Sequence, residues 1–135
     1  MSKKNYIQLA NKAANIQIRE LKKIKKVFNS SFIDAVDAIM NCKGKVIFSG
    51  VGKNSFICKK AAATFSSVGI PSFFVDPTGV SHGDAGQIEK KDILVVISNS
   101  GNTAELKNLL KFANRFRIKI IGIAANLNSM LIKAS

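Results

Sequence analysis

The sequence predicts an α/β fold, a three-layer αβα sandwich on a parallel sheet with helices ahead of it. Three observations predict this. Short apolar runs rich in β-branched residues, Val46-Ile47-Phe48 and Ile93-Leu94-Val95-Val96-Ile97 above all, alternate with stretches of helical period. Those runs are apolar at every position rather than every second one, which suits strands covered on both faces. Turns rich in Gly and Ser follow two of them, and each opens a helix.

Taken in order, the first 41 residues read as helical. Ile7, Ala10, Ala14, Ile18, Leu21, Ile24 and Phe28 recur every third or fourth position and form one apolar face. Asn29-Ser30-Ser31 breaks the pattern. Ser31 and Asp34 form a capping pair that starts a second helix, burying Phe32, Ala35, Val36 and Ile39. Gly44 then supplies a left-handed stop. The first strand is Val46–Phe48. A helix over 55–68 points Ile57, Ala61, Ala62, Phe65 and Val68 inward, and Gly69 and Pro71 end it. Ser72–Val75 is the second strand. The loop from Asp76 to Lys91 is long enough to suggest a function. The third strand, 93–97, leads to a helix over 103–115 that buries Leu106, Leu109, Leu110 and Ala113. Ile118–Ile123 is the fourth strand, and 126–135 is a loop with a helical turn. The organisation is therefore N-terminal helices over 1–43, packing on a core over 44–135, with right-handed crossovers.

A chain of 135 residues suits one domain and buries about two-thirds of its unfolded surface. Its core needs no disulfide or metal. Cys42 and Cys58 show no CxxC spacing and His82 is the single histidine, too few ligands for a zinc site. Both cysteines read as reduced thiols of a cytoplasmic protein. No apolar run reaches the roughly 18 residues that span a bilayer. Lys3 and Lys4 imitate the start of a signal peptide, but Asn5, Gln8, Asn11 and Lys12 interrupt any apolar segment behind them. The net charge of +13 raises nucleic acid or anionic metabolites as partners. The lysines are spread along the chain, Trp is absent and there is one Tyr, so no base-stacking surface is evident and nucleic acid is not the expected partner.

In open parallel sheets, ligands bind beyond the carboxyl ends of the strands where the strand order reverses. A flavodoxin-like order 2-1-3-4 puts that point between strands one and three, whose exit loops are the two Gly/Ser-rich segments. A helix N-terminus there offers unpaired N–H groups to an anion. Ser98, Ser100 and Thr103 add hydroxyls, and Gly101 lets the backbone approach a phosphate monoester. Gly50-Val51-Gly52 lacks the third glycine of a dinucleotide fingerprint and the Walker spacing, so neither NAD nor ATP is expected. Lys53 stands at a helix N-terminus, an unfavourable place for a cation unless an anion binds nearby. The residues alone leave Glu105 between a capping box with Asn102, the favoured reading, and a catalytic carboxylate. His82, in a glycine-flanked loop, is either a bland surface residue or a proton carrier.

Gly50-x-Gly52-Lys53, Pro71-Ser72-Phe73-Phe74-Val75, His82-Gly83-Asp84 and Ile97-Ser98-Asn99-Ser100-Gly101-x-x-x-Glu105 occur in that order. Together they resemble the sugar isomerase (SIS) domain of bacterial arabinose 5-phosphate isomerases, over roughly residues 5–135. The resemblance implies a flavodoxin-like SIS fold. It also implies interconversion of D-ribulose 5-phosphate and D-arabinose 5-phosphate, supplying 3-deoxy-D-manno-octulosonate for lipopolysaccharide, with no metal or organic cofactor. It implies a phosphorylated pentose as ligand and a homotetramer whose sites are completed by neighbouring subunits. On this basis Glu105 is a candidate carbon base, His82 a candidate for ring opening or oxygen proton relay, and Lys53 a candidate for stabilising an enediolate. Ser98, Ser100 and Thr103 would hold phosphate, with Gly52, Asn54, Ser55, Asn99, Gly101 and Asn102 completing the substrate-binding set. Two departures stand out. The family commonly reads Gly-Lys-Ser-Gly where this chain has Lys53-Asn54-Ser55-Phe56 after Gly52. The family also continues beyond the equivalent of Ser135 with a further strand, helices, a second glutamate, a His-Pro-Gly segment and usually paired CBS domains. The chain is accordingly expected to be a shortened form with strand four as an uncovered edge. A non-catalytic sugar-phosphate-binding module, or a fragment of a longer isomerase, is the alternative function.

Overall fold

A computed structural model describes residues 3–135, with side chains from residue 5 onward. Lys3 and Lys4, weighed above as a signal-peptide start, have side chains outside the described residues. The chain divides into two compact units, Met1–Asp37 and Ala38–Ser135. The division falls inside a helix. No helix among the described residues is long and apolar enough to cross a membrane.

In the first unit, α1 spans Lys3–Lys22 and passes into a 3-10 turn at Lys23–Val27; α2 begins at Ser30 and runs to Met40. The start of α2 differs from the capping pair expected at Ser31. Asn29 precedes the helix, and its Oδ1 accepts a hydrogen bond from the Phe32 N–H at 3.3 Å. An Asn one turn ahead of the donor satisfies an orphan amide better than the helical Ser31. Phe32 and Val36 were expected inside and are exposed, while Ala35 and Ile39 are half-buried. Ile7, Ile18, Leu21, Ile24 and Phe28, the periodic face of α1 and its extension, are exposed as well.

The second unit carries a four-stranded parallel sheet: β1 Val46–Ser49, β2 Ser72–Phe74, β3 Ile93–Ile97 and β4 Lys119–Ile123, in the order β2-β1-β3-β4. This is the flavodoxin-like order expected above, with its reversal at β1/β3. The helices are α3 (Lys53–Ser67), α4 (Leu106–Arg115) and the short α5 (Met130–Lys133). Alternate strand residues feed two cores. Ile47, Leu94, Val96 and Ile120 pack with Leu106, Leu109, Leu110, Ala113 and Leu131 on one face. Val46, Phe48, Ile93 and Val95 pack with Cys58, Ala62, Phe65 and Ile39 on the other. The result is three layers, with the central strands β1 and β3 covered on both faces and the outer strands partly open.

Two inward positions assigned to α3 are wrong. Ile57 and Val68 are 59% and 70% exposed, and Cys58 is fully buried instead. The helix is rotated so that small side chains face the sheet and let α3 approach the bulky Phe48. Gly44 also differs: its φ is not left-handed, and a side chain there would overlap the Asp92 carboxylate. Asp92, only 1% exposed, closes the amino end of the sheet. It accepts from the Lys45 and Glu89 amides, both at 2.8 Å, and lies 3.6 Å from the Lys45 ammonium. Lys45 also bonds Glu89 at 3.1 Å, which raises the lysine pKa. Glu89 lies below its ordinary pKa because Lys91 and Lys45 both donate to it.

Candidate functional site

At the carboxyl edge, β1 and β3 are paired up to Ser49 opposite Val96, so their exit loops emerge side by side. The approach is close: a side chain at Gly50 would stand 3.0 Å from the Ile97 carbonyl and 3.1 Å from the Cys58 sulfur. The β1 loop then turns at Gly52, with φ 61° and ψ −127°, into α3. Lys53 opens that helix, exposed, with no acidic residue in the first turn. The Ser55 hydroxyl donates to the Gly52 carbonyl at 2.7 Å and stiffens the turn, and Asn54 is half-buried beside it. Cys58 lies beneath. Burial away from water pushes its thiol up to about 11, so it is a neutral packing group at neutral pH.

The β3 loop is held from below. Ser98 is 2% exposed and its hydroxyl is engaged twice, with the Thr103 hydroxyl at 2.8 Å and the Gly101 amide at 3.1 Å. It shapes the loop from inside, which changes the expectation of three hydroxyls facing one anion. Ser98 accepts from the Gly101 amide and either hydroxyl of the Ser98–Thr103 pair can donate; where Ser98 donates, the Thr103 hydrogen is free for a ligand. Ser100 is exposed and accepts from the Asn102 amide at 3.2 Å. Gly101 has φ 67°, and a side chain there would overlap Ser129. Only glycine fits both constraints.

Helix α4 begins at Leu106, later than the expected residue 103. Asn102 is not its cap. The Asn102 Oδ1 accepts from the Met130 amide at 2.8 Å and so ties the loop to the start of α5. Glu105 has helical angles, makes no capping bond and is exposed. The capping-box reading of Glu105 therefore fails, since the Asn102 oxygen it needed is spent elsewhere. The amides of Thr103, Ala104 and Glu105 find no acceptor among the described residues. These are orphan donors at the positive end of a helix dipole.

His82 is exposed at the end of a 3-10 turn, Gly79–His82. Its neighbour Ser81 receives a hydrogen bond from Asn108 Nδ2 at 2.9 Å, which joins the long loop to α4. Upstream, Asp76 accepts from the amide and hydroxyl of Thr78, at 2.9 and 2.8 Å, which holds its pKa below the ordinary carboxylate value. Lys53 and Glu105 form no ion pair with any described residue.

The fold thus gathers the β1 loop, the 98–105 loop and the His82 turn around one end of the sheet. Sequence reasoning missed the supports: Ser129 against Gly101, the Met130 amide on Asn102, and the Asn108–Ser81 bond. The fragment Ser129-Met130, far along the chain from residue 101, carries no local signal of that contact.

Comparison with known proteins is consistent with this arrangement. A model of the SIS domain matches residues 39–135. The chain is 39% identical over 138 residues to arabinose 5-phosphate isomerase KdsD of Francisella tularensis, covering all of this chain and 42% of that protein. It is 37% identical to the KdsD of Pseudomonas aeruginosa, over 97% of this chain and 40% of that one. The chain therefore spans about two-fifths of the curated relatives it matches. A solved structure from Escherichia coli CFT073, in complex with arabinose 5-phosphate, aligns with a TM-score of 0.85 at 36% identity, over 99% of this chain and 71% of that one. With the matched model covering the sheet, its helices and both exit loops, the chain belongs to the SIS domain family.

Proposed function

We propose that this chain is the sugar-phosphate-binding and proton-transfer part of an aldose–ketose isomerase that interconverts D-ribulose 5-phosphate and D-arabinose 5-phosphate. The observation that carries the reading is the set of free amides at Thr103, Ala104 and Glu105, in one loop with exposed Ser100, leaving β3 next to the β1 exit that leads to exposed Lys53. Relatives named arabinose 5-phosphate isomerase, and the arabinose 5-phosphate complex of a similar structure, support the choice of sugar.

In this reading the phosphate dianion lies against the amides of 103–105 and takes hydrogen bonds from the Ser100 and Thr103 hydroxyls. The side-chain amides of Asn99 and Asn102 and the backbone at Gly101 border it. Ser98 acts through Thr103 by holding it in place. Each bond to the dianion contributes about 1.5–3 kcal/mol, and that binding fixes the reacting carbons. Isomerisation moves a proton between C1 and C2 through an enediol. Glu105 and His82 share the transfers at carbon and oxygen, and Lys53 offsets negative charge on the enediolate oxygen. Gly52, Asn54 and Ser55 line the sugar from the β1 side. The reaction would serve 3-deoxy-D-manno-octulosonate supply for lipopolysaccharide. The exposed Ile7, Leu21, Phe28 and Phe32 support assembly as a homo-oligomer.

The test is turnover of ribulose 5-phosphate by the purified chain. Glu105→Ala is expected to reduce turnover at least about 100-fold while sugar-phosphate affinity changes little. The short span relative to the isomerases favours a second reading, a binding module that needs the rest of a longer chain to react. In that case wild type and Glu105→Ala bind D-arabinose 5-phosphate alike and neither turns it over.

A further inference from the structure

The loop that carries His82 is anchored on both sides and exposed at its tip. Val80 packs against the core, and Ala85 and Ile88 are buried. Between them Ser81 and His82 are exposed, and Gly83 turns the chain with φ 110°. A four-residue 3-10 turn is too short to hold such a tip rigidly by itself. Among the described residues, one side-chain hydrogen bond ties the tip to another element: Asn108 Nδ2 donates to Ser81 Oγ at 2.9 Å. Asn108 lies three residues beyond Glu105, whose φ −63° and ψ −23° continue the helical path of α4. Residues three apart on a helix are surface neighbours. One bond therefore links the residue beside His82 to the residue beside Glu105, while neither Ser81 nor Asn108 belongs to the phosphate loop.

We infer that the Ser81–Asn108 hydrogen bond is a positioning latch, which sets the His82 turn in register with Glu105, the residue that immediately precedes α4. The inference rests on the isomerase reading above, in which these two side chains serve one substrate. Proton transfer needs both within hydrogen-bond reach of the same substrate atoms, roughly 2.6–3.2 Å, so a tip free to swing would separate them.

Because His82 is the single histidine, its imidazole resonances can be followed without assignment ambiguity. In the wild-type chain, D-arabinose 5-phosphate should shift them further than inorganic phosphate does. Ser81→Ala and Asn108→Ala should each remove at least half of that excess, the double variant no more than either single one, with sugar-phosphate affinity changing less than about twofold. Ser81→Thr, which keeps the hydroxyl, should restore it. An unchanged excess in both single variants, or additive losses in the double, overturns the latch. Should the wild type bind no sugar phosphate, the functional reading fails, and the latch is judged by amide exchange in the free protein. The His82 and Gly83 amides should then exchange about fivefold faster in the alanine variants, as loss of one hydrogen bond implies. Equal rates overturn it.

Discussion

The two ends of the sheet use polar residues in opposite ways. At the amino end the carboxylates are partnered: Asp92 takes two amides and faces Lys45, which with Lys91 holds Glu89. At the carboxyl end Lys53 and Glu105 are exposed without ion pairs, and three amides at the head of α4 are unmatched among the described residues. A satisfied network stabilises the chain and binds nothing. An unsatisfied one leaves interaction energy for a ligand, and the desolvation of its donors is deferred until binding. The same backbone thus separates a structural edge from the edge proposed to bind the ligand.

The sharpest way to break this comparison is Asp92→Ala. It strands the Lys45 and Glu89 amides at the buried end and should cost about 3 kcal/mol of stability, read as a lower urea midpoint. A loss below 0.5 kcal/mol by that measure, roughly the noise of a surface change, would show that the amino edge is not the structural end. Gly101→Ala comes next. It forces a side chain into Ser129 at a left-handed φ and should cost about 2 kcal/mol, together with loss of sugar-phosphate binding in calorimetry. Binding retained at wild-type strength would detach the loop shape from the ligand.

Alkaline titration probes the layer beneath the carboxyl edge. The Cys58 thiol moves from 9.0 to about 11 on folding, so the native state holds its proton longer. The contribution is fully present below pH 9 and disappears as pH rises towards 11, a loss on the order of 2 kcal/mol. The difference in unfolding free energy between wild type and Cys58→Ala should shrink over that window, and a constant difference would contradict it. The smallest effect is expected from Lys53→Ala: stability within about 0.5 kcal/mol, but sugar-phosphate affinity weakened about tenfold through loss of one exposed cation. A stability loss with unchanged affinity would place Lys53 in the scaffold instead.

The strands were legible because buried parallel strands are written as unbroken apolar runs, and Val46–Phe48 and Ile93–Ile97 are too short and too β-branched to suit anything else. The switch-point loops were legible for a related reason, since glycine and serine cluster where the chain must turn at a strand end. The helices were less so. A helix such as α3, packed through Cys58 and Ala62, buries small residues and leaves Ile57 exposed. Hydrophobicity alone selects the larger side chains and misplaces the face. Capping assignments failed where a distant segment claimed the polar atom, as Met130 does with Asn102.

By itself the sequence determined the alternation of strands and helices, the parallel sheet, and which two Gly/Ser-rich loops leave the switch point. Those follow from local periodicity and from the few residues that tolerate turns. Only the tertiary structure decided that Ser98 faces inward, that Glu105 is left uncapped, and that Ser81 meets Asn108. Each of these depends on which atoms arrive at the same place from separate parts of the chain, and local propensity contains no record of that meeting.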